Sequence, residues 1–157
     1  MYSPALHVVL YQPEIPYNTG SVGRTCVAVG AKLWLVRPLG FRLDDYYLRR
    51  AGLDYWEQLV WEAVDDWESL IPKLPPRQPW FFTKTARRPY TSAAFAAGDV
   101  LVFGRESSGL PAELLAANAE RTLRIPIRPA ARSLNLSNSV AIALFEAQRQ
   151  GIALPAE

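Results

Sequence analysis

The sequence predicts a single α/β domain, a mostly parallel sheet flanked by helices. Three observations carry that prediction. Strand-like and helix-like segments alternate along the chain, the pattern of a parallel sheet crossed over by helices. Two strand-like runs, Leu6 to Leu10 and Val100 to Phe103, are short and almost wholly apolar, as strands covered on both faces are. The length of 157 residues, with no repeat, linker or low-complexity stretch, suits one domain.

Leu6 to Leu10 is the first strand, broken by Pro13 and Pro16. Asn18, Thr19 and Gly20 open a helix that carries Val22, Cys26 and Val29 on one face, and Gly30 ends it. Lys32 to Val36 is a second strand, closed by Pro38. Asp44 to Ala51 is a short helix with Gly52 behind it. Leu59 to Val64 is a weak strand, and Asp65 to Leu74 a helix stopped by Pro75 and Pro76. Trp80 to Thr83 is a strand by its aromatic content. Loop 84–98 is long enough to move. After the strand Val100 to Phe103, Pro111 starts a helix at the favoured first position. Arg121 to Ile127 alternates in part and reads as a strand. Asn138 to Gln150 is the clearest helix, with Gly151 at its C-terminal end. Val140, Ala143, Leu144 and Ala147 share one face of it, and Ile142 and Phe145 lie on others. Such a helix is buried on more than one side, either as a central core helix or against a second subunit.

Composition excludes several classes of chemistry. No apolar run reaches the roughly 20 residues of a membrane span. Met1 to Pro4 lacks the features of a signal peptide, so the expected compartment is the cytoplasm. Cys26 and His7 are the sole cysteine and histidine, so no metal site and no histidine-based triad is expected. The net charge of +2 is small, but its distribution is uneven. Arg121, Arg124, Arg128 and Arg132 lie in a stretch free of acids, and Lys84, Arg87 and Arg88 form a second basic group. Glu57, Glu62, Asp65, Asp66 and Glu68 gather elsewhere, which predicts one basic and one acidic face.

In a parallel sheet, ligands bind at the carboxyl ends of the strands, and three loops fall there. Asn18 to Arg24 offers free N–H groups at a helix start and an arginine one turn past Gly20; helix capping explains the same residues. Gly104 to Pro111 follows a buried strand, with Gly104 and Gly109 permitting close backbone approach to a ligand and Glu106 receiving hydrogen bonds or fixing the loop. In the third loop Ser133, Asn135, Ser137 and Asn138 alternate with Leu134 and Leu136, able to cap a helix and to bind a ligand.

On these loops the chain resembles the SPOUT class of RNA methyltransferases. Asn18, Gly20 and Arg24 are similar to its first motif, VFGRESSGLP at 102–111 to its second, and RSLNLSNSVA at 132–141 to its third. LRRAGLDY at 48–55 and VLYQPEIPYNTG at 9–20 resemble the compact subgroup acting on the wobble nucleotide of tRNA. The resemblance implies a deep C-terminal trefoil knot over about residues 80–150 of one domain spanning 1–157. It implies a homodimer, S-adenosylmethionine as methyl donor, and the anticodon stem-loop of tRNA as partner. By position, Phe82, Gly104, Ile125, Ser133, Leu134 and Leu110 would contact the cofactor. Arg24 would activate the ribose 2′-OH on a cofactor held by the partner subunit, with Asn18, Glu106 and Asn135 completing the catalytic set. A sulfonium already activates its methyl group, so no metal is needed. Arg37, Arg42, Lys84, Arg87, Arg88 and Arg128 are candidates for the RNA backbone, or solubility residues. Arg105 and Ser108 stand where the family has Pro and Arg, which leaves their roles open.

The wobble cytidine or uridine is the expected methylation site. A D-loop guanosine in tRNA is the alternative site, and a non-catalytic RNA-binding dimer the alternative class. A nucleotide-dependent oxidoreductase is disfavoured because no dinucleotide fingerprint is present.

Overall fold

A computed structural model describes residues 3–44, 46–51 and 55–152, with the backbone alone at 47, 49 and 51. Gly52, expected to end a helix, lies outside them, with Leu53 and Asp54 of the same motif. Six strands form one sheet: β1 (Leu6–Tyr11), β2 (Lys32–Val36), β3 (Trp61–Val64), β4 (Trp80–Phe82), β5 (Asp99–Phe103) and β6 (Thr122–Leu123). Their order is β3-β2-β1-β5-β4-β6, and every pairing is parallel. The helices are α1 (Pro16–Val29), α2 (Tyr46–Ala51), α3 (Trp67–Leu70), α4 (Ala112–Ala117) and α5 (Leu136–Arg149).

Strand side chains alternate between faces, and each face has its own core. Val8, Leu10, Leu33, Leu35, Leu101 and Phe103 pack against Val22 and Cys26 of α1 and Val140, Ala143 and Leu144 of α5. Val9, Trp34, Val36, Phe81, Val100 and Val102 pack on the other side with Leu70 of α3 and Leu110 before α4. The result is helices on both faces of a parallel sheet, as the alternation predicted.

Several boundaries differ from expectation, each for a physical reason. α1 begins at Pro16, two residues before Asn18, because proline fits the first helical position. The helix expected over 65–74 is one α-turn, capped by Asp66 Oδ1 accepting from Ser69 N, and then a 3-10 turn over Ile71–Lys73. Pro72 has no N–H to continue an α-helix. β6 is only two residues long, not seven. Pro126 cannot donate to a ladder, and Arg124 pairs instead with Pro89. α5 begins at Leu136 on an Asn135 cap rather than at Asn138. Segment 84–98, expected to be mobile, is packed. Ala86, Ala93 and Phe95 are buried in it, and Phe95 N donates to Gln150 Oε1 at 2.9 Å. Among the described residues no helix is long and apolar enough to cross a membrane.

Candidate active site

The parallel sheet sends its carboxyl ends, and the loops that follow them, to one edge. After β5, Gly104 opens a loop that closes on itself. Arg105 N donates to Gly109 O at 3.2 Å, and Gly109 N to Arg105 O at 2.9 Å. Gly109 turns the chain at φ +69°. A Cβ on Gly104 would stand 2.2 Å from Gly109 C, so glycine is required there by the loop's own return strand. Leu110 buries its side chain in the core on the α4 side, which leaves its backbone at the site.

Beside this loop lie the end of β4 and the segment after β6. Phe82 stacks on Phe103 with centroids 4.6 Å apart, forming an apolar floor. Ile125 is half-buried against the same core. Ser133 and Leu134 are exposed, Leu134 by 36%. Among the described residues, the backbone N–H groups of Ile125, Ser133 and Leu134 have no hydrogen-bond partner. Uncommitted amides flanked by aliphatic side chains meet the needs of an adenine, which is flat, apolar on its faces and polar on its edge. The residues therefore fit S-adenosylmethionine.

The three loops are joined through side chains. Asn135 Oδ1 accepts from Ser137 N at 2.9 Å and Asn138 N at 3.3 Å, capping α5. Its Nδ2 donates to Asn18 Oδ1 at 3.0 Å, bridging to the first turn of α1. The pair ties the two helix starts together. Glu106 accepts from Glu14 N at 2.8 Å and Ile15 N at 3.3 Å. It meets the free N–H groups at the start of α1, where Ile15 offers no capping side chain and the first turn holds no acid. Of the two roles open to Glu106, the geometry is that of a loop anchor.

Arg24 stands apart from this network. It lies six residues past Asn18, about 9 Å along the helix axis and about 120° around it. Its exposed guanidinium sits 4.8 Å from the Tyr55 ring, and among the described residues it pairs with no carboxylate. A donor fork of this kind can orient a hydroxyl and stabilise an alkoxide.

The basic candidates divide. Arg37 pairs with Asp65 at 3.4 Å and Arg42 with Asp44 at 3.1 Å, both on the surface. They border an open cleft of about 580 Å³ lined also by Pro38, Leu39, Phe41 and Leu43. Arg88 donates to Ser92 and lies 5.1 Å from the Trp80 ring. Lys84, Arg87 and Arg128 are exposed and, among the described residues, free of acids. Backbone pairing of Arg88 with Arg124 brings segment 84–90 beside segment 124–132, so these cations share one sheet edge. Glu62, Asp65, Asp66 and Glu68 sit on and after β3, at the opposite edge.

Sequence reasoning missed three contributors: Gln12, Glu14 and Ser107. Arg105 Nη2 donates to Gln12 Oε1, and Ser107 donates to Glu14 Oε1 from N at 3.0 Å and from Oγ at 2.7 Å. Those bonds from Ser107 hold the Glu14 carboxyl below the usual range. The available signal was a helix start at Ile15-Pro16 with no capping side chain of its own.

Comparisons with known proteins place the chain in a family. The model of the SpoU rRNA Methylase family matches residues 5–145. A tRNA (cytidine(34)-2'-O)-methyltransferase of Burkholderia cenocepacia is 49% identical over 147 residues, 92% of this chain and 94% of that one. One from Methylovorus glucosotrophus is 46% identical over 144 residues, 91% and 94% of the two chains. A solved structure concerned with the 2-OH methylation of C/U34 on tRNA superposes with a TM-score of 0.88 at 46% identity, over 92% of this chain and 95% of that one. An AdoMet-bound rRNA methyltransferase from Sinorhizobium meliloti superposes at 0.83 with 28% identity, over 98% of this chain and 62% of that one. The chain belongs to the SpoU rRNA Methylase family.

Proposed function

We propose that this protein transfers a methyl group from S-adenosylmethionine to the ribose 2′-OH of nucleotide 34, a cytidine or uridine, in tRNA. What carries the reading is likeness along nearly the full chain to relatives named for that reaction, on a fold whose three loops converge at one sheet edge. S-adenosylmethionine, when bound, supplies an electrophilic methyl group. Phe82, Ile125 and Leu134 supply its apolar walls, and the backbone of Gly104, Leu110, Ile125, Ser133 and Leu134 its polar contacts.

The protein's own part is to ready the hydroxyl. A ribose 2′-OH has a pKa far above neutrality, and a guanidinium stays protonated, so Arg24 does not remove the proton. It orients the hydroxyl and stabilises the charge that develops on oxygen. Positioning contributes much of the remaining rate.

The active assembly is a homodimer. Ile15 at the N-cap of α1, Tyr17 in its first turn and Phe145 on α5 are 45%, 60% and 49% exposed, apolar surface suited to a second copy. Arg24 points away from the asparagine bridge of its own subunit and serves the cofactor of the other. The chain passes from β6 at the sheet edge to α5, which packs on α1, and a deep trefoil knot within about residues 80–150 is part of the same reading, supported by the likeness to family members. Lys84, Arg87 and Arg128 contact tRNA phosphates. Arg88 stays on Trp80 at the rim, and Arg37 and Arg42 join by releasing surface pairs worth about 1 kcal/mol or less. The protein works in the cytoplasm, where tRNA is modified.

A substrate tRNA with a 2′-deoxy nucleotide at position 34 tests this reading. It should accept no methyl group while the ribose form does. Equal transfer to both would place the reaction elsewhere.

A further inference from the structure

Segment 12–15 is gripped from two sides. Glu14 reaches into the cofactor loop and takes both the amide and the hydroxyl of Ser107. Glu106 reaches back from that loop and takes the amides of Glu14 and Ile15. The two carboxylates form a reciprocal clamp, and Arg105 adds a third tie to Gln12. From the other side, Gly40 N donates to Pro13 O at 2.9 Å. A Cβ on Gly40 would lie 2.6 Å from the Glu14 backbone, so the loop after β2 is pressed against the same segment. The body of α1 needs none of this to fold, because Val22, Cys26 and Val29 fix it in the core. What the clamp determines is the placement of its first turns against the cofactor loop.

We propose that Glu14 is a positioning residue for methyl transfer: it locks α1, and with it Arg24, to the cofactor loop of its own subunit, so that the loop of one active site sets the register of the arginine delivered to the other. This rests on the reading of a homodimeric methyltransferase with Arg24 acting across the interface. A carboxylate is suited to the task because one oxygen accepts from two donors of Ser107 with charge assistance.

The test uses mixed dimers purified through two different tags. In a dimer of Arg24→Ala and Glu14→Ala subunits, the one live site takes its arginine from the subunit lacking Glu14. In a dimer of an Arg24→Ala/Glu14→Ala subunit with a wild-type one, the live site takes its arginine from the intact subunit. With saturating cofactor, kcat should fall about 10- to 100-fold in the first dimer, the scale of an ångström-sized misplacement. In the second it should stay close to that of an Arg24→Ala/wild-type dimer. Glu14→Gln keeps an acceptor for Ser107 and should recover most of the loss. Equal kcat in both mixed dimers, or no rescue by Gln, overturns the proposal. If the wild-type dimer itself methylates no tRNA, the functional reading fails instead. Amide exchange in Glu14→Ala then judges the clamp alone: faster exchange at Ser107 and in the first turn of α1 supports it, and unchanged exchange there refutes it.

Discussion

Gly104→Ala probes the cofactor loop with a single methyl group. That Cβ would stand 2.2 Å from Gly109 C and 2.3 Å from Leu110 N, both backbone atoms. Carbon contacts settle near 3.5–4.0 Å, so the return strand must retreat by more than about 1 Å. The two bonds between Arg105 and Gly109, at 3.2 and 2.9 Å, then exceed hydrogen-bond geometry. Each contributes about 0.5–1.5 kcal/mol, and partial exposure of Leu110 removes about 1–2 kcal/mol more. The expected loss is about 2–5 kcal/mol, a fall in Tm of roughly 4–20 °C for a chain of this length. Distortion of the backbone that would hold the cofactor should weaken S-adenosylmethionine binding at least tenfold. Thermal melting and titration calorimetry read the two effects separately. A wild-type Tm with wild-type affinity would show that the loop's closure is not what requires glycine at 104.

Three further outcomes follow from the same geometry. Arg24→Ala should abolish methyl transfer and leave cofactor affinity and dimer mass unchanged, since among the described residues the guanidinium lies over the Tyr55 ring and pairs with no carboxylate; a wild-type rate would remove its assigned role. Asn135→Ala loses the α5 cap and the bridge to Asn18, and should cost about 1–3 kcal/mol by urea denaturation together with a drop in kcat; a purely thermodynamic effect would separate the bridge from catalysis. His7, buried beneath Trp34 Nε1 and beside Lys32, has its pKa lowered from 6.5 to about 4 by desolvation first and by Lys32 second. The unfolded chain therefore binds the proton more tightly, so this contribution to stability is complete above pH 6.5 and is lost as pH falls toward 4. Urea midpoints across that window should decline in the wild type and flatten in His7→Gln, whose amide oxygen can still accept from Trp34; parallel curves would place the titration on other groups.

Much of this architecture was legible because it depends on local pattern. The alternation of apolar runs and helical stretches gave the parallel sheet, and Gly104, Gly109, Asn18 and Asn135 marked the loops at its carboxyl edge. Prolines account for some of the differences, and distant residues that complete local structure account for others. Asn18 reads as a good cap for α1, yet Glu106, more than 90 positions away, meets the amides at Glu14 and Ile15. Alternation alone predicts a seven-residue β6, but Arg124 takes its partners from segment 88–90. The need for glycine at 104 was visible as close approach, and the neighbour proved to be the loop's own backbone. Arg105, which departs from the family motif, is explained by Gln12, a residue at φ 50° that no spacing rule connects to it.

The most direct test is transfer of a labelled methyl group from S-adenosylmethionine to tRNA, followed by digestion to nucleosides and mapping of the labelled position. The account predicts label on a 2′-O-methylated cytidine or uridine at position 34, and none when Arg24 is alanine. Label on a base, at another tRNA position, or undiminished in the Arg24 variant would contradict it.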